Sequence, residues 1–506
     1  MERELFITHD RDGREIANVA AMIEQRALLQ PDMPAMIMKE AVVSYRGIQA
    51  AVNAVAAKLV ANGIRTGQMV GISMLQTPMH VFAMLALMRI GAPFVSVHPA
   101  LPEERRMLAV RRYGVSAIIS GRAECELDGL PFVHLHQHEL RGDSATIPYA
   151  PTTLDTAVRI AQSSGTSGDP KGVMLTHADI RGRMRACSSG ITSDSRALPM
   201  DFNFSVGFNY ASCVLAAGAA LVFITSDSTQ DYIAQVQQFA VTDWLLSPAI
   251  AESIAAHIAA HIADDRPVFP SVRHLRLNGA SPSPRLLETL LRKFTPHIYN
   301  GYGVTEAGLI TLATPEMLRR YPGTAGPLLP TIEAEVVDEF DRPVPAGQSG
   351  SLRLRTPVMP SSYFPDNGLT TERFRDGWYY PRDLAHFDSG GLLFIEGRQD
   401  DVLNIGGVKV RFRDIEQVIE THPAVREAAV FIMIDGAGRE KMGLAYIADN
   451  GARIANLDAY ASEKLGPLRP SEYIAVNALP RTMTGKVQRD RLRNLYLEGS
   501  LDNFRN

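Results

Sequence analysis

The sequence predicts an α/β protein: a large N-terminal domain of layered α/β subdomains plus a small β unit, then a smaller α+β C-terminal domain. Three observations carry this. Hydrophobic periodicity switches repeatedly between helical and extended over residues 46–120. Pro and Gly become frequent between about 323 and 396, where short alternating runs suggest antiparallel strands. After Arg398 helical and strand-like patterns mix again, over about 100 residues, a common domain size.

Taken in order, Tyr45 to Asn62 has apolar residues at helical spacing and meets a helix stop at Gly63. Val70 to Met74 is extended, Pro78 to Ile90 helical, Phe94 to Val97 extended, Glu103 to Tyr113 helical and Ser116 to Ser120 extended. This β-α-β-α order predicts a largely parallel sheet. It resumes from 215 to 300, with Ala219–Thr225 extended and Gln230–Phe239 helical. Glu333–Val337 and Ser351–Arg355 are short strands of the β unit. Asp414–Thr421 and Leu457–Leu465 are helical, and Ala428–Ile434 is extended. The boundary falls near 396–400, giving domains at 1–396 (β-rich part about 323–396) and 397–506.

Composition excludes several classes. With 46% hydrophobic and 21% charged residues among 506, the chain can bury a substantial core and is neither disordered nor fibrous. A net charge of −4 argues against general nucleic-acid binding, which needs a basic surface. Cys125, Cys187 and Cys213 form no CxxC pair, so neither a disulfide framework nor a zinc cage is expected. They fit a reducing cytoplasm. The N-terminus lacks the basic-then-apolar order of a signal peptide, and no stretch suits a bilayer span.

Chemistry concentrates in four places. Ser163, Ser164, Gly165, Thr166, Ser167 and Gly168, followed by Lys171, come after the strand-like Val158–Ala161. Glycines turn backbone N–H groups inward, and hydroxyls with an ammonium complete a polyphosphate cradle. No Walker A pattern fits. Second, Asn300-Gly301-Tyr302-Gly303-Val304-Thr305-Glu306 sets an aromatic between glycines, suited to stacking on a base. Thr305 and Glu306 offer a hydroxyl for a phosphate and a carboxylate for Mg²⁺. Third come Tyr379-Tyr380-Pro381-Arg382-Asp383 and Gly397-Arg398-Gln399-Asp400, and fourth Thr482-Met483-Thr484-Gly485-Lys486.

Together and in this order, these segments resemble the adenylate-forming superfamily: acyl- and aryl-CoA synthetases, adenylation domains of peptide synthetases, and beetle luciferases. The likeness spans about residues 20–495. It implies that Ser163 to Lys171 grips the β,γ-phosphates, that Tyr302 stacks on adenine with Asn300 and Gly301 beside it, and that Thr305 meets the α-phosphate. It implies that Glu306 holds Mg²⁺, that Asp383 and Arg398 bind the ribose, and that Lys486 bridges acid and α-phosphate. Lys486, Thr305, Glu306 and Lys171 are then the catalytic set. Asp400 is implied as the hinge of a mobile C-terminal lid, and Gly406, Gly407 and Lys409 as the thiol side. The family's Thr-Gly-Asp is here Pro381-Arg382-Asp383, and a proline common after the hinge loop is Phe412.

The implied reaction is attack of a carboxylate on the α-phosphate of ATP, giving acyl-AMP and pyrophosphate, then transfer to a thiol. The acid pocket is expected from Phe202, Asn203, Phe208, Asn278, Gly279, Ala280, Gly303 and Val304. Amino-acid activators carry an aspartate where this chain matches Asn203, which offers no charge to an ammonium. A shift of one or two positions brings Asp201 into play and reverses that conclusion. The order of acids is aryl or hydroxyaryl, then short or medium acyl, then amino acid. CoA is favoured as acceptor over the phosphopantetheine of a separate carrier protein, since little chain follows Lys486. A homodimer is left open. A non-catalytic nucleotide-binding regulator and a kinase-like transferase are the rivals from other classes. His134, His136 and His138 alternate as if on one strand face, read as an edge strand before a metal site. Arg489, Arg491 and Arg493 read as a solvated tail helix.

Overall fold

A computed structural model of the chain describes residues 15–501, except 124–126, 128, 137–145, 164–170, 263–265, 367, 369, 406–407, 435–439, 450–452 and 483–484. Side chains of 404–409 and 440 are also outside the description. Cys125, His138, Ser164, Gly165, Thr166, Ser167, Gly168, Gly406 and Gly407, all singled out in the sequence, therefore lie outside the described residues. Contacts divide the described chain into two units: a larger one up to Ser163, from Lys171 to Glu333 and Leu354–Tyr379, and a smaller one of Ala334–Arg353 and Tyr380 onward. The architecture is the expected α/β class.

The larger unit is built on two sheets. The first runs, edge to edge, Phe132–His134, Ala117–Ser120, Val70–Ser73, Phe94–Ser96, Ala157–Ser163, Lys171–Thr176. All neighbours are parallel except the last pair, which is antiparallel. The second runs Gly308–Ala313, Ile298–Val304, His274–Asn278, Asp243–Leu246, Arg196–Leu198, Ala220–Val222, Pro34–Ile37, Val42–Ser44, antiparallel only at its two ends. Crossover helices on parallel strands explain the alternation in the sequence.

Local signals set the helix limits. Pro78 opens the helix Pro78–Ile90 and Gly91, at φ 75°, closes it in the left-handed region that glycine adopts at no steric cost. Nearly every residue of that helix is buried, which is why its sequence is apolar all round. Thr176 and Asp179 form a reciprocal capping box at the start of the helix His177–Cys187. In the core under the second sheet, Trp244 meets Phe269 edge-on at 5.1 Å and Phe294 stacked at 6.2 Å.

In the smaller unit, Val425–Ile434 and Glu440–Ala448 pair antiparallel, and Glu472–Ala475 adds parallel to the second. The helix Phe412–Glu420 packs Ile415 and Ile419 with Val430 and Leu444. On the other face the helix Arg489–Leu497 buries Leu492 with Phe431. This tail helix is more than a solvated one: the Arg489 guanidinium donates to Glu416 Oε1 at 2.5 Å and to the Val430 carbonyl at 2.7 Å. The strand Phe132–His134 is a sheet edge, as the histidine alternation suggested, but His136 lies beyond it.

One buried histidine gives a pH prediction. His177 accepts from the Val19 N–H at 3.2 Å, and burial, with Arg181 nearby, lowers its pKa from 6.5 to about 4. The unfolded chain therefore binds more protons between those values, and this group's contribution to stability is lost as pH falls from about 6.5 through about 4. The thermal midpoint of the protein should exceed that of His177→Gln by a margin that shrinks on acidification from pH 7 to 4.5. A constant margin across that range would rule the mechanism out.

Candidate active site

In parallel α/β sheets, ligands gather outside the carboxyl ends of strands. Several of the described candidate residues of the larger unit lie at or just beyond such ends. Ser163 ends the strand Ala157–Ser163 and faces Lys171 across the ladder. Asn278 ends the neighbouring sheet's His274–Asn278, with Gly279 at φ 101° after it and Ala280 exposed beyond. Asn300 to Val304 form the end of Ile298–Val304, and Thr305 and Glu306 make the turn that follows. Asn278 Nδ2 donates to the Gly301 carbonyl at 3.2 Å, tying the two segments. A Cβ on Gly303 would meet the Gly308 carbonyl oxygen at 2.5 Å, so close backbone approach requires glycine there. Tyr302 and Val304 are half-buried, and Asn300 is buried.

Around Glu306 the structure assembles Tyr363 and Arg183, which the sequence did not single out, with Tyr379 and Lys171. Tyr363 donates its hydroxyl to Glu306 Oε1 at 2.9 Å, and the Tyr379 hydroxyl lies 3.4 Å from that of Tyr363. Burial first, then the Glu306 charge, pushes both phenols above their usual range, so both remain protonated donors at neutral pH. The Lys171 ammonium lies 5.7 Å from the Tyr363 ring centre, a cation–π distance. The buried Arg183 guanidinium donates to the carbonyls of Thr305 at 2.8 Å, Glu306 at 2.7 Å and Val358 at 3.2 Å. It braces the turn while the Glu306 hydrogen bonds go to neutral hydroxyls. A buried carboxylate beside a threonine hydroxyl is a hard-oxygen donor set that fits Mg²⁺.

The expected acid-pocket segment follows the strand Arg196–Leu198. Phe202 is fully buried against His80 and Phe223, and Phe208 against Phe94. Asn203 donates Nδ2 to the Met74 carbonyl at 3.0 Å and to Asp201 Oδ1 at 2.8 Å. Arg159, also buried, donates to the Asn203 carbonyl at 2.8 Å and stacks 4.4 Å from the Phe208 ring centre.

In the smaller unit, Asp383 and Arg398 are opposed across an antiparallel pair, with Arg398 3.4 Å from the Asp383 carboxylate. The departure from Thr-Gly-Asp keeps the glycine-like backbone: Arg382 sits at φ 66°. Its guanidinium pairs with Asp400, which also lies 3.7 Å from Arg398. Lys409 pairs with Asn404 in the hairpin Val402–Ile405 and Val408–Arg411. Lys486 is exposed on a turn closed by the Arg481–Val487 bridge, where Thr482 N–H donates to the Lys486 carbonyl at 2.7 Å and Lys486 N–H to Thr482 Oγ1 at 3.1 Å.

The AMP-binding enzyme family matches residues 23–364, and the AMP-binding enzyme C-terminal domain matches residues 414–486. The chain is an AMP-binding enzyme of the adenylate-forming superfamily. This AMP-binding enzyme is 28% identical over 503 residues to surfactin synthase subunit 2 of Bacillus subtilis, covering 94% of this chain but 14% of that protein. It spans 6% of a linear gramicidin synthase polypeptide of Brevibacillus parabrevis, at 26% identity over 95% of this chain. It is 26% identical over 482 residues to 2-succinylbenzoate–CoA ligase of Bacillus cereus, covering 94% of this chain and 98% of that one. In fold it is similar to ATP-bound MatB from Rhodopseudomonas palustris, with a TM-score of 0.85 at 22% identity over 96% of this chain and 99% of the other.

Sequence reasoning missed Tyr363 and Arg183, because partners over 50 residues apart leave no spacing signal, and it gave Tyr379, quoted within its motif, no role. Arg159 left a signal: a charge inside the apolar run Val158–Ala161. The tyrosine–carboxylate contact is testable. In a cycle of Tyr363→Phe, Glu306→Gln and the double variant, thermal stability should show a coupling of about 1.5–3 kcal/mol, the range for a hydrogen bond to a charged group. Additive effects would show that the contact holds nothing.

Proposed function

We propose that this enzyme activates an aryl or hydroxyaryl acid, or failing that a short-to-medium acyl acid, to acyl-AMP with release of pyrophosphate, then transfers the acyl group to CoA. One observation supports CoA most: the match to 2-succinylbenzoate–CoA ligase extends over 98% of that protein. The second reading, loading of a carrier protein, is favoured by the peptide synthetases that match at similar identity. The site roles follow the same proposal, as do the division at residues 396–397, a hinge at Asp400, a thiol side at Gly406, Gly407 and Lys409, and a cytoplasmic location. No described helix is long and apolar enough to cross a membrane.

The chemical need is to bring two anions together. Mg²⁺ bound with ATP supplies positive charge to the phosphates. The chain's own part is to supply ammoniums from Lys171 and Lys486, to hold the Glu306 carboxylate in one place, and to fix Thr305 through its carbonyl. Tyr363, Tyr379 and Arg183 preorganise the last two, so little reorganisation is left for the reaction. The acid nucleophile is already ionised at neutral pH and needs no general base.

Two variants test the reading. Lys486→Ala should slow acid-dependent pyrophosphate exchange by about 10²–10³-fold, the cost of removing one preorganised charge donor. Exchange at the parental rate would remove Lys486 from the mechanism. Asp400→Pro should leave exchange near the parental rate and slow thioester formation, measured as acyl-CoA. Equal loss in both assays contradicts a hinge at that position.

A further inference from the structure

Lys486 stands on a turn of the smaller unit with its side chain exposed. Packing of the side chain therefore does not aim it, and its direction is set by the backbone of the turn. That backbone closes on itself. The Arg481–Val487 bridge and the Gln488 N–H, which donates to the Pro480 carbonyl at 2.8 Å, join its ends. The Gly485 N–H donates to the Thr482 carbonyl at 2.8 Å, and Gly485 takes the left-handed φ of 88° that such a turn needs. These bonds give the turn a shape, but they do not tie it to the sheet beside it.

Arg481 supplies that tie. Its guanidinium donates to the Gly485 carbonyl at 2.6 Å and also pairs with the Glu427 carboxylate. Glu427 lies on the strand Val425–Ile434, which pairs along its length with Glu440–Ala448. The Arg481 and Glu427 side chains are only 21% and 19% exposed, so solvent screens the pair less than it would a surface ion pair. The far end of the turn is held as well, by Arg489, which reaches Glu416 and the Val430 carbonyl of the same strand and lies 3.2 Å from Asp401.

The two arginines hold different things. Arg489 joins the helix Phe412–Glu420, the strand and the segment at Asp401, so it serves the whole domain. Arg481 holds the peptide unit that leads into Lys486. The carbonyl of that unit accepts from Arg481, and its N–H, the Lys486 N–H, donates to Thr482 Oγ1 at 3.1 Å. The next peptide unit is pinned through the Lys486 carbonyl, which accepts from the Thr482 N–H at 2.7 Å. With both flanking planes fixed, the Cα–Cβ direction of Lys486 is fixed too.

We propose that Arg481, backed by Glu427, is a positioning residue for Lys486: it anchors the peptide plane from which the lysine projects, so that the ammonium is presented in one direction when the acid is activated. This rests on the role given to Lys486 in the proposed function. A loosened turn must be ordered again in each turnover, so the loss falls on kcat rather than on ground-state binding.

The test uses the full chain and two independent readouts. In Arg481→Ala the amides of Thr482, Gly485 and Lys486 should exchange with deuterium about tenfold faster or more, while those of the strand Glu440–Ala448 keep the parental rate. Pyrophosphate exchange is measured with whichever of benzoate, the three monohydroxybenzoates and butyrate the parent activates fastest. Its kcat should fall about tenfold or more in Arg481→Ala, with KM for ATP and for the acid within about threefold. Arg481→Lys, whose single ammonium lacks the planar fork, should lie between parent and Arg481→Ala. Added to Lys486→Ala, Arg481→Ala should cost less than about twofold more, since it acts through that lysine. Parental amide rates in the turn overturn the proposal, as do a loss confined to KM and a loss that adds in full to that of Lys486→Ala. Parental exchange in Lys486→Ala sinks the role of that lysine instead, and the amide rates then decide by themselves whether Arg481 holds the turn.

Discussion

The larger unit depends on one constraint: the buried Glu306 carboxylate is held, among the described residues, without a hydrogen bond from a cation. Glu306 meets this with tyrosine hydroxyls, whose own ionisation is suppressed by burial beside that charge. Arg183, the nearby cation, directs its N–H groups to three carbonyls instead. The Glu306 carboxylate is thereby held in place by neutral hydroxyls. Such an arrangement costs stability in the folded chain and is worth keeping where a divalent cation is to be held.

The same pattern recurs at the pocket segment. Hydrogen bonds from His98 and Asn203 hold the Asp201 carboxyl below its usual pKa, and the buried Arg159 is near enough to attract its charge. Both carboxylates lie at the carboxyl edges of parallel strands, where the sheets bring chain segments far apart in sequence into hydrogen-bond range. The fold thus sets two hydrogen-bonded carboxylates beyond its parallel strands.

Much of the fold was legible in the sequence, because periodicity and stops are local. The helices at Pro78–Ile90, Glu103–Tyr113 and Leu457–Leu465 have the limits that their Pro, Gly and apolar spacing suggest. The larger site was legible only where motifs are contiguous, as in Asn300–Glu306. Tyr363 and Arg183 were not, since their contacts cross the fold. The environment of Arg382 was half legible: the missing glycine was evident, but only the backbone shows that arginine takes the left-handed conformation, with Asp400 as its ionic partner. Asp201 was weighed against Asn203 as alternatives, whereas the structure joins them in one hydrogen-bonded pair.

Attack of a carboxylate oxygen on the α-phosphate of ATP is the step on which the proposed chemistry turns. Isotope transfer tests it most directly, using carboxyl-¹⁸O-labelled hydroxybenzoates and short-chain acids with ATP, Mg²⁺ and CoA. Labelled oxygen should appear in AMP, carried over when the thiol displaces it from acyl-AMP. Label in orthophosphate alongside ADP, or no AMP with any acid, would contradict that step.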